Sequence, residues 1–357
     1  MPTPPTPRPA PPAPFPPPRP SSRSVSSVST SCAPCDAIAP RARDPSRAPA
    51  LNQYPARTGC SFAASPSRHY VCSTMKYRML AIDLDGTLLN PQSHVSPENL
   101  AAVRRAQDAG VLVVLCTGRG LQESRHIIDE VDCDCPVVLA GGAQVSDPAT
   151  GKTLHRAAIQ PRTALDIMNR LAPHGAVLSL VDPEPTGCDY LIINPDDMTD
   201  NTRWWLDRID ATTRVLAPPT MDHVQHVVRT GMVGPAAEMA ARQADLQQHF
   251  GDALFTQHFG GVQEADTPAI HVLEVFNQGV NKWSGLQWLA DDHDIPLNSI
   301  AAIGDNINDL AMIQHAACGI AMANAVDPIQ ALADHVTESN AANGVADAID
   351  QLLCGAW

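Results

Sequence analysis

Past residue 75 the chain is short of basic charge. Residues 1–75 hold eight Arg, no Lys and two Asp, a formal +6, so the remainder carries −20 of the net −14. An acidic body excludes sequence-independent nucleic-acid binding, which needs a basic surface. Any anionic ligand must be drawn in locally by a metal ion and a few cations. Long hydrophobic runs are missing as well. The longest, such as Val111 to Cys116, fall far short of the roughly 20 apolar residues of a membrane helix, so no membrane partner is expected. The ten cysteines form no disulfide-like framework, and Cys116, Cys318 and Cys354 lie in or near apolar runs, as reduced thiols of a cytosolic protein do. Cys32-x-x-Cys35 and Cys133-x-Cys135 both lack a second Cys/His pair at zinc spacing.

What is present divides into a tail and a body. The 357 residues suffice for two domains and a tail. Residues 1–20 are largely proline and Ser21 to Ser31 is serine-rich, so 1–74 is expected to be disordered. A cytoplasmic location is expected. An organelle is the alternative if this Arg- and Ser-rich leader is a transit peptide, although proline prevents an amphipathic helix at its very start. Met75 is a further candidate for the true start, because Met75-Lys76-Tyr77-Arg78 leads straight into the first strand.

The body is organised around Met79-Leu80-Ala81-Ile82-Asp83-Leu84-Asp85-Gly86-Thr87. An apolar run that stops at polar residues and glycine reads as a buried parallel strand, and ligands bind outside the carboxyl ends of such strands. Asp83 and Asp85, two residues apart, can face one small ligand. Two adjacent carboxylates at the edge of an apolar core repel unless a cation lies between them or one takes a proton. A calcium loop would need Glu at its twelfth position, which is His94. Three more strands end in the same manner. Val111 to Cys116 leads to Thr117-Gly118-Arg119, Pro136 to Ala140 to Gly141-Gly142, and Ser299 to Ile303 to Gly304-Asp305-Asn306-Ile307-Asn308-Asp309. Helical signals separate them, among them Ser96 as N-cap with Pro97 after it and Gly110 beyond the end. This alternation predicts a doubly wound parallel α/β sheet.

Between about 158 and 270 the pattern changes to short β-like runs (Ala176 to Val181, Tyr190 to Ile193, His223 to Arg229, Leu254 to Phe259) interleaved with helical stretches, an inserted α+β domain. The histidines scattered there fit no single metal site. The core is expected to comprise 75–157 and 271–357, resuming at Ile270 to Phe276 and followed by Asn281 as N-cap and Lys282 in the first turn. Lysine normally favours the other end of a helix, so Lys282 points to an anion site. Asp83, Asp85, Thr117, Lys282, Asp305, Asn308 and Asp309 thus gather at one sheet edge. Hard oxygen ligands without Cys or His favour Mg²⁺, and a carboxylate, Mg²⁺ and a phosphate clamp together suit phosphoryl transfer through an aspartyl phosphate.

These motifs, in this order, resemble the haloacid dehalogenase superfamily, and within it the Cof-like Mg²⁺-dependent phosphatases with a large α/β cap on a Rossmannoid core. The resemblance covers 75–357. It implies a phosphoric monoester hydrolase in which Asp83 is the nucleophile and Asp85 the acid/base. It further implies that Thr117, Gly118, Lys282 and Asn308 hold phosphate, that Asp83, the Asp85 carbonyl and Asp305 bind Mg²⁺, and that Asp309 supports them from behind. The implied substrate is a small phosphorylated metabolite, with sugar phosphates foremost. One departure is Gly141-Gly142, where similar proteins have Asn-Gly, so that substrate contacts there are in question. Arg119 is either a substrate contact or a structural salt bridge. A phosphosugar mutase and a silent phospho-ligand sensor remain as alternatives, and the oligomeric state is not legible.

Overall fold

The computed structural model describes residues 75–133, 135–261 and 269–357. The segment expected to be a disordered tail, with Cys32 and Cys35, lies outside them. In chain order the body runs β1 (Met79–Asp83), α1 (Pro97–Asp108), β2 (Leu112–Cys116), α2 (Leu121–Val131), β3 (Val137–Leu139), β4 (Gln144–Ser146) and β5 (Thr153–Arg156). It continues as α3 (Pro161–Leu171), β6 (Val177–Val181), α4 (Pro183–Thr186), β7 (Tyr190–Ile193), α5 (Asp200–Leu206), β8 (Thr213–Val215), β9 (Val227–Gly234), α6 (Ala236–Phe250), β10 (Leu254–Gly260) and β11 (His271–Asn277). It closes with α7 (Lys282–Asp292), β12 (Ile300–Gly304), α8 (Leu310–His315), β13 (Cys318–Ala321), α9 (Asp327–Leu332), β14 (His335–Val336) and α10 (Gly344–Leu353).

The first sheet has eight strands in the order β14-β13-β12-β1-β2-β3-β4-β5. From β14 to β3 all neighbours are parallel, with β1 at the centre between β12 and β2. Every residue of β1 and β2 is buried, and each Leu or Ile so enclosed contributes about 1.5–3 kcal/mol. Helix α1 begins as its sequence predicts: Pro97 occupies the first position and Ser96 Oγ accepts from the Asn99 N–H at 3.2 Å. The parallel α/β expectation holds over these strands. Beyond β3 the sheet gains β4 and β5, which run antiparallel. Neither was expected, because segments of three and four residues are too short to show periodicity.

The second sheet has six strands, ordered β10-β11-β9-β6-β7-β8, antiparallel except for the β7–β8 pair. Two expectations are corrected here. The run expected to resume the parallel core, Ile270 to Phe276, falls on β11, which pairs antiparallel with β9 and β10. Apolar alternation does not reveal which sheet a strand joins, and the chain re-enters the first sheet only at β12. The strand expected over His223 to Arg229 starts instead at Val227, because Thr220 and His223 are engaged in a local turn. A small apolar cluster that includes Ala140, Leu180, Tyr190, Val228 and Phe276 joins the two sheets. Among the described residues no helix is long and apolar enough to cross a membrane.

Candidate active site

The site lies at the carboxyl ends of β12, β1 and β2, three adjacent parallel strands. Asp83 is the last residue of β1, level with Cys116 of β2, and Thr117 follows directly. Asp305 follows the last residue of β12. Gly86, at φ +81°, turns the chain so closely past Asp305 that a Cβ there would lie 2.2 Å from Asp305 Oδ2. Glycine is required on both counts.

Lys282 opens α7 behind these carboxylates. Asn281 caps the helix with a reciprocal Asn281–Ser284 capping box, and the lysine side chain, fully buried, turns back into the site. Its Nζ donates to Asp83 Oδ1 at 2.5 Å and to Asp309 Oδ1 at 2.6 Å. Asp309 Oδ2 accepts the backbone N–H groups of Asp305 and Asn306 at 3.0 and 3.1 Å. Asp309 therefore joins the lysine to the loop that carries Asp305. Asp85 is gripped from the other side, by Arg119 Nε at 2.8 Å and Nη2 at 2.5 Å. Of the two readings of Arg119, the ion pair is present, and the residue also lines the cavity.

Four carboxylates here face two cations. Burial, followed by Asp309, pushes the Asp83 carboxyl well above its usual range, although Lys282 pulls the other way. Burial and Asp309 likewise push Asp305 up to about 7. Burial alone would lower Lys282, but Asp309 and Asp83 outweigh it and raise it. The carboxylates thus outnumber the cations, and a divalent ion would offset the excess when they are ionised. Asp83, Asp305 and Asp309 each offer a ligand atom within 4.8 Å of the others, and among the described residues this is the group of such residues that could hold a metal. Its donors are all oxygens, so the chemistry fits Mg²⁺ and does not suit a soft metal.

Above the carboxylates opens a cavity of about 450 Å³. Asp83, Asp85, Gly118, Arg119, Asp305 and Asn308 line it, together with residues of the second sheet. Thr117, Lys282 and Asp309 lie beneath this lining, all buried. Gly141 and Gly142 do not line it. At Gly141, φ +63°, a Cβ would stand 2.8 Å from Phe276 Cζ, and at Gly142, φ +99°, it would stand 1.9 Å from the Asn281 carbonyl oxygen. Phe276 of β11 therefore stands where a side chain at position 141 would begin.

Four lining residues escaped the sequence reading: Glu123 of α2, Tyr190 of β7, Arg229 of β9 and Glu274 of β11. Tyr190 Oη donates to Glu123 Oε1. Arg229 donates from Nη1 to Glu274 Oε1 at 2.6 Å and from Nη2 to Tyr190 Oη at 3.1 Å. Burial raises Glu123, with Arg229 opposing. Arg229 and Glu274 each interrupt an apolar strand, and a charge in that position needs a partner. That was the available signal.

A family model of haloacid dehalogenase-like hydrolases matches residues 80–349. The chain belongs to that family. It is 32% identical to 5-amino-6-(5-phospho-D-ribitylamino)uracil phosphatase YwtE of Bacillus subtilis, over 78% of this chain and 99% of that protein. It is 27% identical to pyridoxal phosphate phosphatase YbhA of Escherichia coli, over 77% of this chain and 98% of that protein. Among solved structures it is similar to a haloacid dehalogenase-like hydrolase from B. subtilis, with TM-score 0.62 and 26% identity over 77% of this chain and 99% of that one. The enzyme class expected from the motifs, a phosphoric monoester hydrolase, is the one these two named phosphatases share.

Proposed function

We propose that the chain is a Mg²⁺-dependent phosphatase that cleaves small phosphorylated metabolites through an aspartyl phosphate on Asp83. The observation that carries this reading is the Lys282 ammonium, buried between Asp83 and Asp309 at 2.5 and 2.6 Å beneath an otherwise acidic cavity floor. Lys282 offsets the charge of the Asp83 carboxylate and so favours the ionised form that attacks phosphorus. Asp85, in the cavity wall, would give a proton to the leaving oxygen and later take one from water. Thr117, Gly118 and Asn308 would hold the phosphoryl oxygens, with Lys282 below. Asp83, the Asp85 carbonyl and Asp305 would hold Mg²⁺, supported by Asp309; when bound, the ion supplies charge neutralisation at the phosphoryl oxygens.

In this reading the second sheet and its helices, from about 158 to 277, act as a cap that excludes water and bulky phosphoproteins. The substrate we favour is a phosphorylated sugar or polyol. Leu178, Trp205, Met232 and Phe259 in the cavity wall leave room for an attached ring, such as that in the substrate for which YwtE is named. A cytoplasmic location belongs to the same proposal, in keeping with buried thiols such as Cys116 and Cys188.

Replacing Asp83 with Asn tests the reading. Turnover of a panel of phosphate esters with Mg²⁺ is expected to vanish in Asp83→Asn, and appreciable residual activity would rule out the mechanism.

A further inference from the structure

The loop Thr117-Gly118-Arg119 presents three successive carbonyls, and each has a donor. The Thr117 carbonyl accepts from the Gly141 N–H at 3.0 Å and the Arg119 carbonyl from the Ala140 N–H at 2.9 Å. Both donors are backbone groups of the first sheet's own connections. The middle carbonyl, of Gly118, accepts instead from Arg229 Nη1 at 2.6 Å, a side chain that arrives from β9 of the second sheet.

What that single bond controls follows from peptide planarity. The Gly118 C=O and the Arg119 N–H belong to one rigid unit. At its far end the Arg119 N–H donates to Thr117 Oγ1 at 3.1 Å, which leaves the Thr117 hydroxyl free to donate its own proton elsewhere. The same residue's guanidinium holds Asp85. Fixing the Gly118 oxygen therefore fixes both the Thr117 hydroxyl and the root of the Asp85 clamp. Arg229 is itself held firmly. Its side chain is only 14% exposed, Glu274 and Tyr190 engage it, and Gln257 Nε2 donates to the other Glu274 oxygen at 2.9 Å. A buried guanidinium is costly without such partners, so the second sheet devotes a built network to presenting one cation to one carbonyl of the first.

We propose that Arg229 is a positioning residue for the reaction. It sets the Gly118–Arg119 peptide, so the loop reaches its working geometry only when the second sheet is seated over the first. The assignment rests on the reading of Thr117 and Gly118 as phosphate-binding, but it adds a residue outside the reaction centre and a dependence on the cap that this reading does not contain.

The test uses the full chain with Mg²⁺ and two esters of unlike leaving group, glycerol 2-phosphate and p-nitrophenyl phosphate. In Arg229→Gly, kcat is expected to fall about 100-fold on both esters, the scale of a misplaced catalytic constellation, with KM little changed. Arg229→Lys is expected to retain part of the rate, and added guanidinium is expected to restore part of it to Arg229→Gly. Three results would overturn the assignment: an unchanged kcat, a loss confined to one ester, or a loss that guanidinium does not relieve and that tracks a lowered unfolding midpoint. Wild-type turnover in Asp83→Asn would instead bring down the reading of the site itself, and this assignment with it.

Discussion

Lys282 and Asp83 meet at 2.5 Å with the lysine side chain wholly enclosed and that of Asp83 only 5% exposed. The first prediction tests that pair. Lys282→Met leaves the carboxylates of Asp83 and Asp309 facing each other in the core, and removing one partner of a buried pair costs about 3–5 kcal/mol. Urea unfolding is expected to show a loss of that size, together with loss of turnover. Adding Asp309→Asn to it is expected to recover part of the stability, since two members of one network do not contribute additively. A fully additive double variant would show that Lys282 and Asp309 act independently.

The second prediction concerns pH and metal. Asp305 is pushed up to about 7 by burial, then Asp309, from an ordinary 3.8. Between these values the folded metal-free protein keeps a proton that the unfolded chain has released. Its stability is therefore expected to fall as pH rises through that window. Mg²⁺ is expected to offset the deficit above it, raising the unfolding midpoint more at about pH 8 than at about pH 5.5, where protons compete for the same oxygens. Asp305→Asn is expected to flatten both trends. Midpoints measured by calorimetry across pH, with and without Mg²⁺, check this. A midpoint indifferent to Mg²⁺ at the higher pH would contradict it.

A third prediction concerns Gly141. Asn tolerates a left-handed backbone better than most residues, so Gly141→Asn isolates the collision with Phe276 from backbone strain. Overpacking of this kind costs about 1–3 kcal/mol, whereas Phe276→Ala alone costs about 3–5 kcal/mol. The combined variant is expected to lose less than the two losses together, because the new side chain occupies the space the ring vacates. Unfolding free energies of the three variants decide the matter, and strict additivity would place the clash elsewhere.

The chemistry-bearing residues were legible where sequence neighbours carry the signal. Asp83 and Asp85 stand two apart at the end of an apolar run, and Lys282 stands at the wrong end of a helix for a solvated lysine. The Glu123–Tyr190–Arg229–Glu274 network was not legible, since its members lie on four elements that only the tertiary fold brings together. Strand β11 was misassigned because alternation reports a buried face and says nothing about the neighbouring strand. Gly141 was read as a lost amide, and the contact with Phe276 that leaves no room for a side chain there was not legible because that ring lies on a strand remote in sequence.

The return from β11 has a consequence of its own. Only residues 278–281 separate that strand from Lys282, and the last of them, Asn281, is clamped by its capping box and by the close approach of Gly142. Substitution in the second sheet therefore need not shift the ammonium beside Asp83. A lineage can exchange one leaving group for another by rewriting cavity-wall positions such as Leu178, Met232 and Phe259, provided that Arg229 and the Glu274 that holds it stay, while the reaction it performs stays the same.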